Sequence, residues 1–271
     1  MNCEQIIVSL KGEGRVFFSA VSGKAKRVYP KYAGHHHGEV YCAKSKKLHP
    51  HLVDSIVPAG EHRFPFQFKI TGSRLPTSFK GPLGYIRYYV GAKLVQCSSK
   101  EDIVASVEIP FVETVDINSE YLLKPVCEEK KTAFYKLISD SSTITLRVQL
   151  DRSGYCTGEG LTIQADVQND CRSDVVLKAK LIQKGQFSDG HHQSNYPSKV
   201  LAAVIGPQVA PGEHFQWNSD SLIVPPTEPT IKTCSYITVH YVLKVSAVLS
   251  PVRRCAVEIP VTIGNVPLAR Y

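Results

Sequence analysis

The sequence predicts an all-β protein built from two consecutive antiparallel β-sandwiches. Three observations lead to this prediction. The chain repeats itself at an interval of about 150 residues, apolar residues alternate with polar ones over strand-length runs, and no window shows a convincing amphipathic helix of three turns. The 271 residues, of which 43% are hydrophobic and 21% charged, suffice for one large or two ordinary domains with a real core.

The internal duplication is carried by three short matches in the same order. Each match alone is weak, because a few residues can agree by chance, but a nearly constant offset of 150 to 152 residues argues for two copies of one domain. The matched segments are Gly60-Glu61-His62 with Gly212-Glu213-His214, Tyr85-Ile86 with Tyr236-Ile237, and Val107-Glu108-Ile109-Pro110 with Val257-Glu258-Ile259-Pro260.

Period-two alternation predicts strands with one buried face in both copies. In the first copy the alternation runs over residues 86–94, and in the second copy over residues 144–150, 177–181 and 237–247. Turn residues such as Pro211-Gly212 separate the runs. Short antiparallel strands with one wet face, present in two copies, therefore predict two sandwiches.

The join between the copies is predicted near residues 124–142. Glu128-Glu129-Lys130-Lys131 is a charged run that we expect to be solvated, and Ser139-Asp140-Ser141-Ser142 leads into the first strand of the second copy. The predicted domains are therefore residues 1–127 and 143–271, joined by a linker at residues 128–142.

Motifs along nearly the whole chain resemble those of the alpha-arrestins, also called arrestin domain-containing proteins. The resemblance implies arrestin-type, immunoglobulin-like β-sandwiches. The motifs of the first copy are Pro58-Ala59-Gly60, Phe64-Pro65-Phe66-Gln67-Phe68, Leu75-Pro76-Thr77-Ser78-Phe79-Lys80-Gly81 and Gly84-Tyr85-Ile86-Arg87-Tyr88-Tyr89-Val90. Those of the second are Asp151-Arg152-Ser153-Gly154-Tyr155-Cys156-Thr157-Gly158-Glu159, Leu181-Ile182-Gln183, Trp217, Ile223-Val224-Pro225-Pro226-Thr227 and Ile237-Thr238-Val239-His240-Tyr241.

Structural roles account for most of these motif residues. Glycines 60, 81, 84 and 212 are expected at positive φ in tight turns. Phenylalanines 64, 66 and 68 are expected on the packed face of a strand, while Trp217 and Tyr241 are expected in the core. The motifs therefore predict the fold, and function must be carried by surfaces that they do not mark.

The resemblance implies a non-enzymatic adaptor in membrane-protein trafficking. Such a protein binds cytoplasmic parts of membrane-protein cargo and links them to endocytic, ubiquitination or endosomal sorting machinery. It works in the cytoplasm, peripheral to the plasma membrane and endosomes. The alternative is a structural or scaffolding β-sandwich protein, similar to the arrestin-fold subunit of retromer, that recruits no ubiquitin ligase.

Two departures from the family pattern bear on these expectations. Lys184-Gly185 follows Ser142 by about 43 residues, whereas Lys11-Gly12 lies only 12 residues from Met1, so the first domain is expected to lack about 31 residues, or two strands. The family's Pro-Pro-x-Tyr motifs bind WW domains of HECT-type ligases. The only Pro-Pro here, Pro225-Pro226-Thr227-Glu228, has Glu where Tyr is needed.

A basic insert is the candidate binding site. Residues 23–51 have no counterpart of equal length in the second copy, and the net charge of +8 favours an acidic partner. One interpretation is a solvated loop without specific function. The other is a contact for anionic lipid headgroups or for an acidic or phosphorylated cytoplasmic tail. The residues concerned are Lys24, Lys26, Arg27, Lys44, Lys46 and Lys47.

Other functions find little support in the sequence. His35-His36-His37, with His49 and His51, and His191-His192 are expected in solvated loops rather than in a metal site. No catalytic, cofactor or nucleic-acid motif is present. No run is apolar enough to span a membrane, and the N-terminus lacks the pattern of a signal peptide. The eight cysteines, none in a Cys-x-x-Cys pair, are expected to be free thiols in a reducing compartment.

Overall fold

A computed structural model describes residues 3–18, 35–48, 60–70, 75–96, 101–134, 142–188, 190, 193–195 and 198–269. The chain forms two compact units. Unit 1 comprises Met1–Glu113 with two short later segments, Phe187–Ser194 and Thr233–Ile237. Unit 2 comprises Thr114–Gln186, Asn195–Lys232 and Thr238–Tyr271.

The described strands of residues 3–113, the larger part of unit 1, form one five-stranded antiparallel sheet. Its order is β2-β1-β4-β3, and β5 pairs with β4 beside β3. The strands are β1 (Cys3–Phe18), β2 (His35–Leu48), β3 (Phe79–Gly81), β4 (Gly84–Gln96) and β5 (Ile103–Ile109).

The core of unit 1 lies on one face of this sheet. Val8 and Leu10 of β1 are 2% exposed, and Ile86 of β4 is 1% exposed, because alternate residues of a strand point to the same side. Tyr88 is buried among them, and its hydroxyl donates a hydrogen bond to the Pro76 carbonyl oxygen at 2.8 Å. The alternation predicted for β4 is therefore confirmed in its first half.

Two local predictions in unit 1 are wrong. Residues 60–70 form no strand, and Phe66 is 43% exposed, although its ring lies 5.7 Å from that of Phe68. Pro65, which has no N–H to donate, interrupts the alternation. Gly60 and Gly212 do have positive φ, whereas Gly81 and Gly84 are required by close approach. A Cβ on Gly84 would lie 2.3 Å from the Arg15 carbonyl oxygen.

The second half of the chain forms two further sheets. The larger has the order β11-β10-β14-β15-β8, with β12 paired to β10, and the smaller has the order β13-β9-β7-β6. The elements are α1 (Glu120–Leu123), β6 (Val126–Phe134), β7 (Ser142–Leu150), β8 (Gly154–Cys156), β9 (Gly160–Asn169), β10 (Val175–Ser188), β11 (Gln193–Asn195), β12 (Lys199–Val209), β13 (His214–Ile223), β14 (Ile237–Val248) and β15 (Arg254–Gly264).

Alternating apolar residues from these two sheets form the core of unit 2. The inward rows of β7 and β14 are almost completely buried, as their alternation predicts. Trp217 and Tyr241 lie in the core, as expected. The buried residues of the two rows are Ile144, Leu146, Val148 and Leu150 in β7, and Val239, Tyr241, Leu243, Val245 and Ala247 in β14.

The predicted linker, residues 128–142, contains most of a strand. Val126–Phe134 is β6, which pairs antiparallel with β7 over nine residues. The charged run at residues 128–131 lies in β6 and is exposed as predicted, because β6 is at the edge of its sheet. Residues 135–141 lie outside the described ranges.

The structure confirms an all-β protein with antiparallel sheets. The pairing of β8 with β15 is parallel, and α1, with four residues, is the one helix in the described ranges. Six cysteines whose side chains the structure describes have free thiols, as expected, and all but Cys127 are buried. They are Cys42, Cys127, Cys156, Cys171, Cys234 and Cys255.

Candidate functional site

The predicted basic site falls only partly within the described residues. Lys24, Lys26 and Arg27 lie outside them. Lys44, Lys46 and Lys47 belong to β2, so the prediction of a loop is wrong for this part of the insert. Residues 35–48 pair with β1 over most of their length, and this pairing satisfies the backbone groups that a loop would leave to water.

The predicted histidines are divided in the same way. His35-His36-His37 open β2 rather than lying in a loop, and the His35 and His36 side chains lie outside the described residues. His49, His51 and His191-His192 are also outside them. In the part of the chain that the structure describes, no group of three His, Cys, Asp or Glu side chains is placed to hold a metal ion.

The strand geometry separates the three lysines. Lys47 is paired with Ile7 of β1, which is also paired with Lys93 of β4, so Lys47 and Lys93 point to the same face of the sheet. Lys44 and Lys46 point to the opposite face, that of the buried Leu10 and Val8 with which they pair. The Lys44 ammonium donates a hydrogen bond to the Lys69 carbonyl oxygen.

The face that carries Lys47 and Lys93 also carries a cluster of charges that the sequence analysis missed. The Glu13 carboxylate forms ion pairs with Lys11 at 2.9 Å, Arg15 at 3.1 Å and Arg87 at 2.7 Å, and its side chain is only 2% exposed. Tyr85 donates its hydroxyl to the same carboxylate at 3.2 Å. Three cations against one carboxylate leave the cluster with a net charge of +2.

The cations keep Glu13 ionised. Burial raises the pKa of the Glu13 carboxyl, but hydrogen bonds from Lys11, Arg87 and Arg15 outweigh burial and hold this pKa at about 2, below its ordinary value of 4.5. The same hydrogen bond raises the pKa of Lys11 against the effect of its own burial. The cluster is therefore fully charged at neutral pH.

Aromatic rings hold the cations in place. The Arg87 guanidinium lies 4.5 Å from the centre of the Tyr85 ring and 5.3 Å from that of Tyr89, and the Lys11 ammonium lies 6.0 Å from the Tyr89 ring. The side chains of Arg15 and Arg87 remain 43% and 42% exposed, so each guanidinium keeps N–H donors that face solvent.

These residues form one surface, which we call the basic face. It consists of Lys11, Arg15, Lys47, Arg87 and Lys93. Ile7, beside Lys47 and Lys93, precedes Lys11 by four residues, which is about 13 Å along a strand. Fixed guanidinium and ammonium groups at this spacing suit an extended anionic segment with carboxylates or phosphates.

A pattern in the sequence does mark this cluster. Lys11, Glu13 and Arg15 alternate with small or apolar residues, which places one acid between two cations on the same side of a strand. Arg87 lies between Tyr85 and Tyr89 on the same side of the neighbouring strand. A search for charged residues at period two, rather than for runs of lysine, finds Lys11, Glu13 and Arg15, but not their pairing with Arg87.

The described residues were also compared with the length and hydrophobicity that a membrane-spanning helix needs. None of its helices is long and apolar enough to cross a membrane.

Comparisons with known proteins agree with the architecture. The family described as "Arrestin (or S-antigen), N-terminal domain" matches residues 1–118, and "Arrestin (or S-antigen), C-terminal domain" matches residues 140–268. Arrestin domain-containing protein 4 is 30% identical to the chain over 217 residues in Mus musculus and 31% identical over 212 residues in Homo sapiens. These matches cover 80% and 78% of this chain.

A second relative is more distant. Thioredoxin-interacting protein of Homo sapiens is 27% identical over 209 residues, which cover 77% of this chain and 53% of that protein. The matches to the arrestin domain-containing proteins cover 52% and 50% of their lengths. The chain thus spans about half the length of the curated relatives it matches.

Proposed function

The chain belongs to the arrestin family, in the branch of the arrestin domain-containing proteins, and on this premise we propose that it is an adaptor for membrane-protein trafficking. Its partners are cytoplasmic segments of membrane-protein cargo that carry carboxylates or phosphates. It works in the cytoplasm, peripheral to the plasma membrane and endosomes, and links cargo to endocytic or ubiquitination machinery. It is not an enzyme.

The observation that carries the proposal is the basic face. Lys11, Arg15 and Arg87 are fixed by a buried carboxylate and by aromatic rings, so they lose little conformational entropy when they bind an anion. Solvated lysines without such partners would be ordered only on binding. Lys47 extends the positive charge along the sheet, whereas the charge of Lys93 beside it is balanced by Asp102 at 2.7 Å.

A peptide-binding experiment tests the basic face. Fluorescence anisotropy is measured with an extended peptide in two forms, one with two phosphoserines and one without phosphate. We expect the phosphorylated form to bind more tightly, with an affinity that falls as salt is added. The substitution Lys47→Glu should weaken this binding about fivefold, which corresponds to about 1 kcal/mol.

The chain supplies a matched control for this experiment. Lys46→Glu makes the same charge change on the adjacent residue of β2, but on the opposite face of the sheet. Lys46→Glu should leave peptide binding within about twofold of the unsubstituted chain. Equal loss with both variants would show that only net charge matters and would remove the basic face from the proposal.

Contact with anionic membranes is the other candidate use of the lysines. Each lysine near an acidic membrane surface contributes roughly 1 kcal/mol, and salt screens this contribution. The triple substitution of Lys44, Lys46 and Lys47 by Glu should reduce sedimentation with anionic liposomes at low salt. Unchanged sedimentation would leave these lysines without a role at membranes.

The link to ubiquitination should not use the Pro225-Pro226 pair. The segment after it is held by the fold, because Tyr241 donates its hydroxyl to the Glu228 carbonyl oxygen and Gln183 donates to the Glu228 carboxylate. Glu228 also stands where a WW domain needs Tyr. We predict that isolated WW domains do not bind this segment, and micromolar binding abolished by Pro226→Ala would contradict this.

A further inference from the structure

Ser45 lies among the lysines of β2, and its side chain is exposed. Lys44 and Lys46 are its two neighbours, Lys47 follows, and the tripeptide Lys-Ser-Lys occurs at no other place in the chain. The nearest acid along the chain is Glu39, six residues away. A serine surrounded by cations in this way is electrostatically complementary to an enzyme whose substrate groove is acidic.

The register of β2 places the Ser45 hydroxyl on the basic face. Ser45 is paired with Ser9 of β1, and directly opposite residues of two paired strands point to the same side. On that side Lys47 follows about 7 Å further along β2, and Lys11 lies at the diagonal position on β1, about 7–8 Å away. Ser45 therefore stands between two cations of the basic face.

The position of β2 in its sheet makes Ser45 accessible to an enzyme. Strand β2 is at the edge, and β1 is its one strand partner among the residues that the structure describes. A strand bonded on one side detaches at a lower free-energy cost than a strand held on both sides. The backbone of β2 is already extended, so the segment enters a linear substrate groove without a change of conformation. The exposed residues around the serine are Ala43, Lys46 and Lys47.

We propose that Ser45 is a phosphorylation site for a lysine-directed serine kinase, and that its phosphate prevents the basic face from binding anionic segments. This inference rests on the proposed function, because it regulates the surface to which we assign cargo binding. In the reaction the Ser45 Oγ bonds to the γ-phosphorus of ATP, the bond from that phosphorus to the bridging oxygen breaks, and ADP leaves with the bonding electrons. The hydroxyl proton passes to the catalytic carboxylate of the kinase.

The net charge of the basic face explains the expected loss of binding. Its five cations, with Glu13 and Asp102 as their acids, carry a net charge of +3. A phosphoserine brings a charge of about −1.5 to −2 at neutral pH, together with three acceptor oxygens. Phosphorylation of Ser45 therefore removes at least half of the positive charge that attracts an anionic partner.

The phosphate also competes directly for two of the cations. Lys47 is exposed and forms no ion pair with the residues that the structure describes. Lys11 is 32% exposed and is bound to Glu13 at 2.9 Å. A phosphate on Ser45 pairs with Lys47 and competes with Glu13 for Lys11. It thereby occupies, from within the chain, donors that a phosphorylated cargo segment needs.

Phosphorylation of the full chain is the first measurement. The chain is incubated with ATP, Mg²⁺ and the catalytic domain of protein kinase C, which selects serines with basic residues on both sides, and the modified sites are found by tandem mass spectrometry. We expect stoichiometric phosphate at Ser45. Ser106 is an internal control, because it is exposed on the same face of the sheet but has Glu108 two residues later, and it should stay unmodified.

Lys46→Glu separates recognition by the kinase from binding by the basic face. It reverses the charge beside Ser45, but its side chain points to the opposite face of the sheet. Phosphorylation of Ser45 should slow at least about fivefold in this variant, although binding of the phosphorylated peptide stays within about twofold of the unsubstituted chain.

Peptide binding before and after the kinase reaction is the second measurement. The chain phosphorylated at Ser45 should bind the peptide with two phosphoserines about tenfold more weakly than the untreated chain. Kinase-treated Ser45→Ala should bind as tightly as the untreated chain, which excludes phosphate at other serines as the cause. Unchanged far-UV circular dichroism of both samples is required before their affinities are compared.

Two results would overturn the proposal. The first is a full chain whose Ser45 stays unmodified while a synthetic peptide of residues 40–48 is phosphorylated, which would show that folded β2 does not present the serine to a kinase. The second is undiminished peptide binding by the chain phosphorylated at Ser45. Failure of the untreated chain to bind the peptide is a different result. It would contradict the proposed function and its regulation, whereas phosphate found at Ser45 would still establish the modification site.

Discussion

The β4–β5 hairpin of unit 1 and the β14–β15 hairpin carry the same duplicated residues but differ in what covers them. Val107 is paired with Val90, and its counterpart Val257 is paired with Val245. Val107 is 69% exposed, whereas Val257 is 5% exposed. The two hairpins thus join corresponding strands, but in registers that differ by four residues, and the duplicated valine is buried in only one of them.

The opposing sheet explains the difference. Strand β15 contacts β6 and β7 of the smaller sheet, which cover its inner face. The described strands of residues 3–113 form a single sheet, and residues 60–70, whose position in the duplication is that of β13, form no strand there. Burial is therefore set by strands that are distant in sequence.

The charged residues show the same division. Lys184, Lys244 and Glu258 of the second copy meet in one ion-pair group. Their counterparts by strand and position are Lys11, Lys93 and Glu108. In unit 1 Lys11 pairs with Glu13 and Lys93 pairs with Asp102. Duplicated residue types thus do not ensure duplicated contacts, because Lys244 lies directly opposite Glu258, whereas Lys93 lies opposite Val104 and Glu108 lies opposite Tyr89.

The largest expected effect is a difference in resistance to proteolysis. The described strands of residues 3–113 form one sheet with an exposed apolar strand, and such an arrangement opens locally at a lower free-energy cost than two packed sheets. Limited trypsin digestion of the full chain should therefore cleave first before Lys124 and leave a resistant C-terminal fragment. Mass spectrometry of the fragments gives the order of cleavage.

Fragments sharpen the same comparison. Residues 114–269 keep both sheets of the second copy with β6, and they should give a monomer with one cooperative melt. Residues 1–138 lose the segments Phe187–Ser194 and Thr233–Ile237 that belong to unit 1, and they should be insoluble or oligomeric. A monomeric 1–138 fragment with a cooperative melt would show that the single sheet is stable by itself.

A matched pair of substitutions tests the hairpins directly. Val257→Ala removes two methyl groups from a covered strand and should lower the free energy of unfolding by about 2–3 kcal/mol. Val107→Ala should change it by less than about 0.5 kcal/mol, because that side chain is mostly in water. Urea unfolding followed by Trp217 fluorescence reports unit 2, since Trp217 is the single tryptophan, and circular dichroism reports both units.

One result of these two substitutions would contradict the comparison of the hairpins. Comparable losses from Val107→Ala and Val257→Ala in a monomeric sample would mean that β5 is covered in solution. The comparison between the hairpins would then fail. The test is run at low concentration, where the chain is expected to be monomeric.

The sequence predicts the structure correctly where the residues of a single strand determine which of its side chains are buried. Alternation over residues 144–150 predicted a buried row correctly, because an amphipathic strand has one way to hide its apolar side. It was insufficient for Phe66, which is exposed because a strand also needs a partner and a covering layer. For the basic face, the run of lysines in the sequence identifies Lys47. Only the register of β2 against β1 shows that Lys46 points to the opposite face of the sheet.

Glu13 illustrates the limit most clearly. An isolated Glu in a strand is usually solvated, and nothing in its neighbours along the chain shows that Arg87, 74 residues away, binds the same carboxylate. The cluster depends on pairing between β1 and β4, which brings two strands into one register. Contacts between distant residues of this kind follow from topology rather than from local patterns.

The smallest expected effects come from two carboxylates with low pKa. Hydrogen bonds from Lys184 and Lys244, against burial, hold the pKa of Glu258 at about 2, the value that Glu13 also has. Glu13→Gln should lower the free energy of unfolding at neutral pH by about 1–3 kcal/mol, because it leaves three cations around a neutral group. Glu258→Gln should cost about 0.5 kcal/mol, since its side chain is 39% exposed and water screens its ion pairs.

The pH dependence separates these losses from simple packing defects. A carboxyl whose pKa is lowered by folding stabilises the native state above its unfolded pKa of 4.5, and this contribution disappears as pH falls from 4.5 towards about 2. The gap in urea midpoint between the unsubstituted chain and Glu13→Gln should therefore be constant above about pH 5 and should shrink below it. The difference in urea midpoint caused by Glu13→Gln should appear in circular dichroism but not in Trp217 fluorescence. The difference caused by Glu258→Gln should appear in Trp217 fluorescence. A Glu13 gap that persists at about pH 2 would mean that Gln disturbs the packing of β1 and β4, and that the ion pairs contribute little to unit 1.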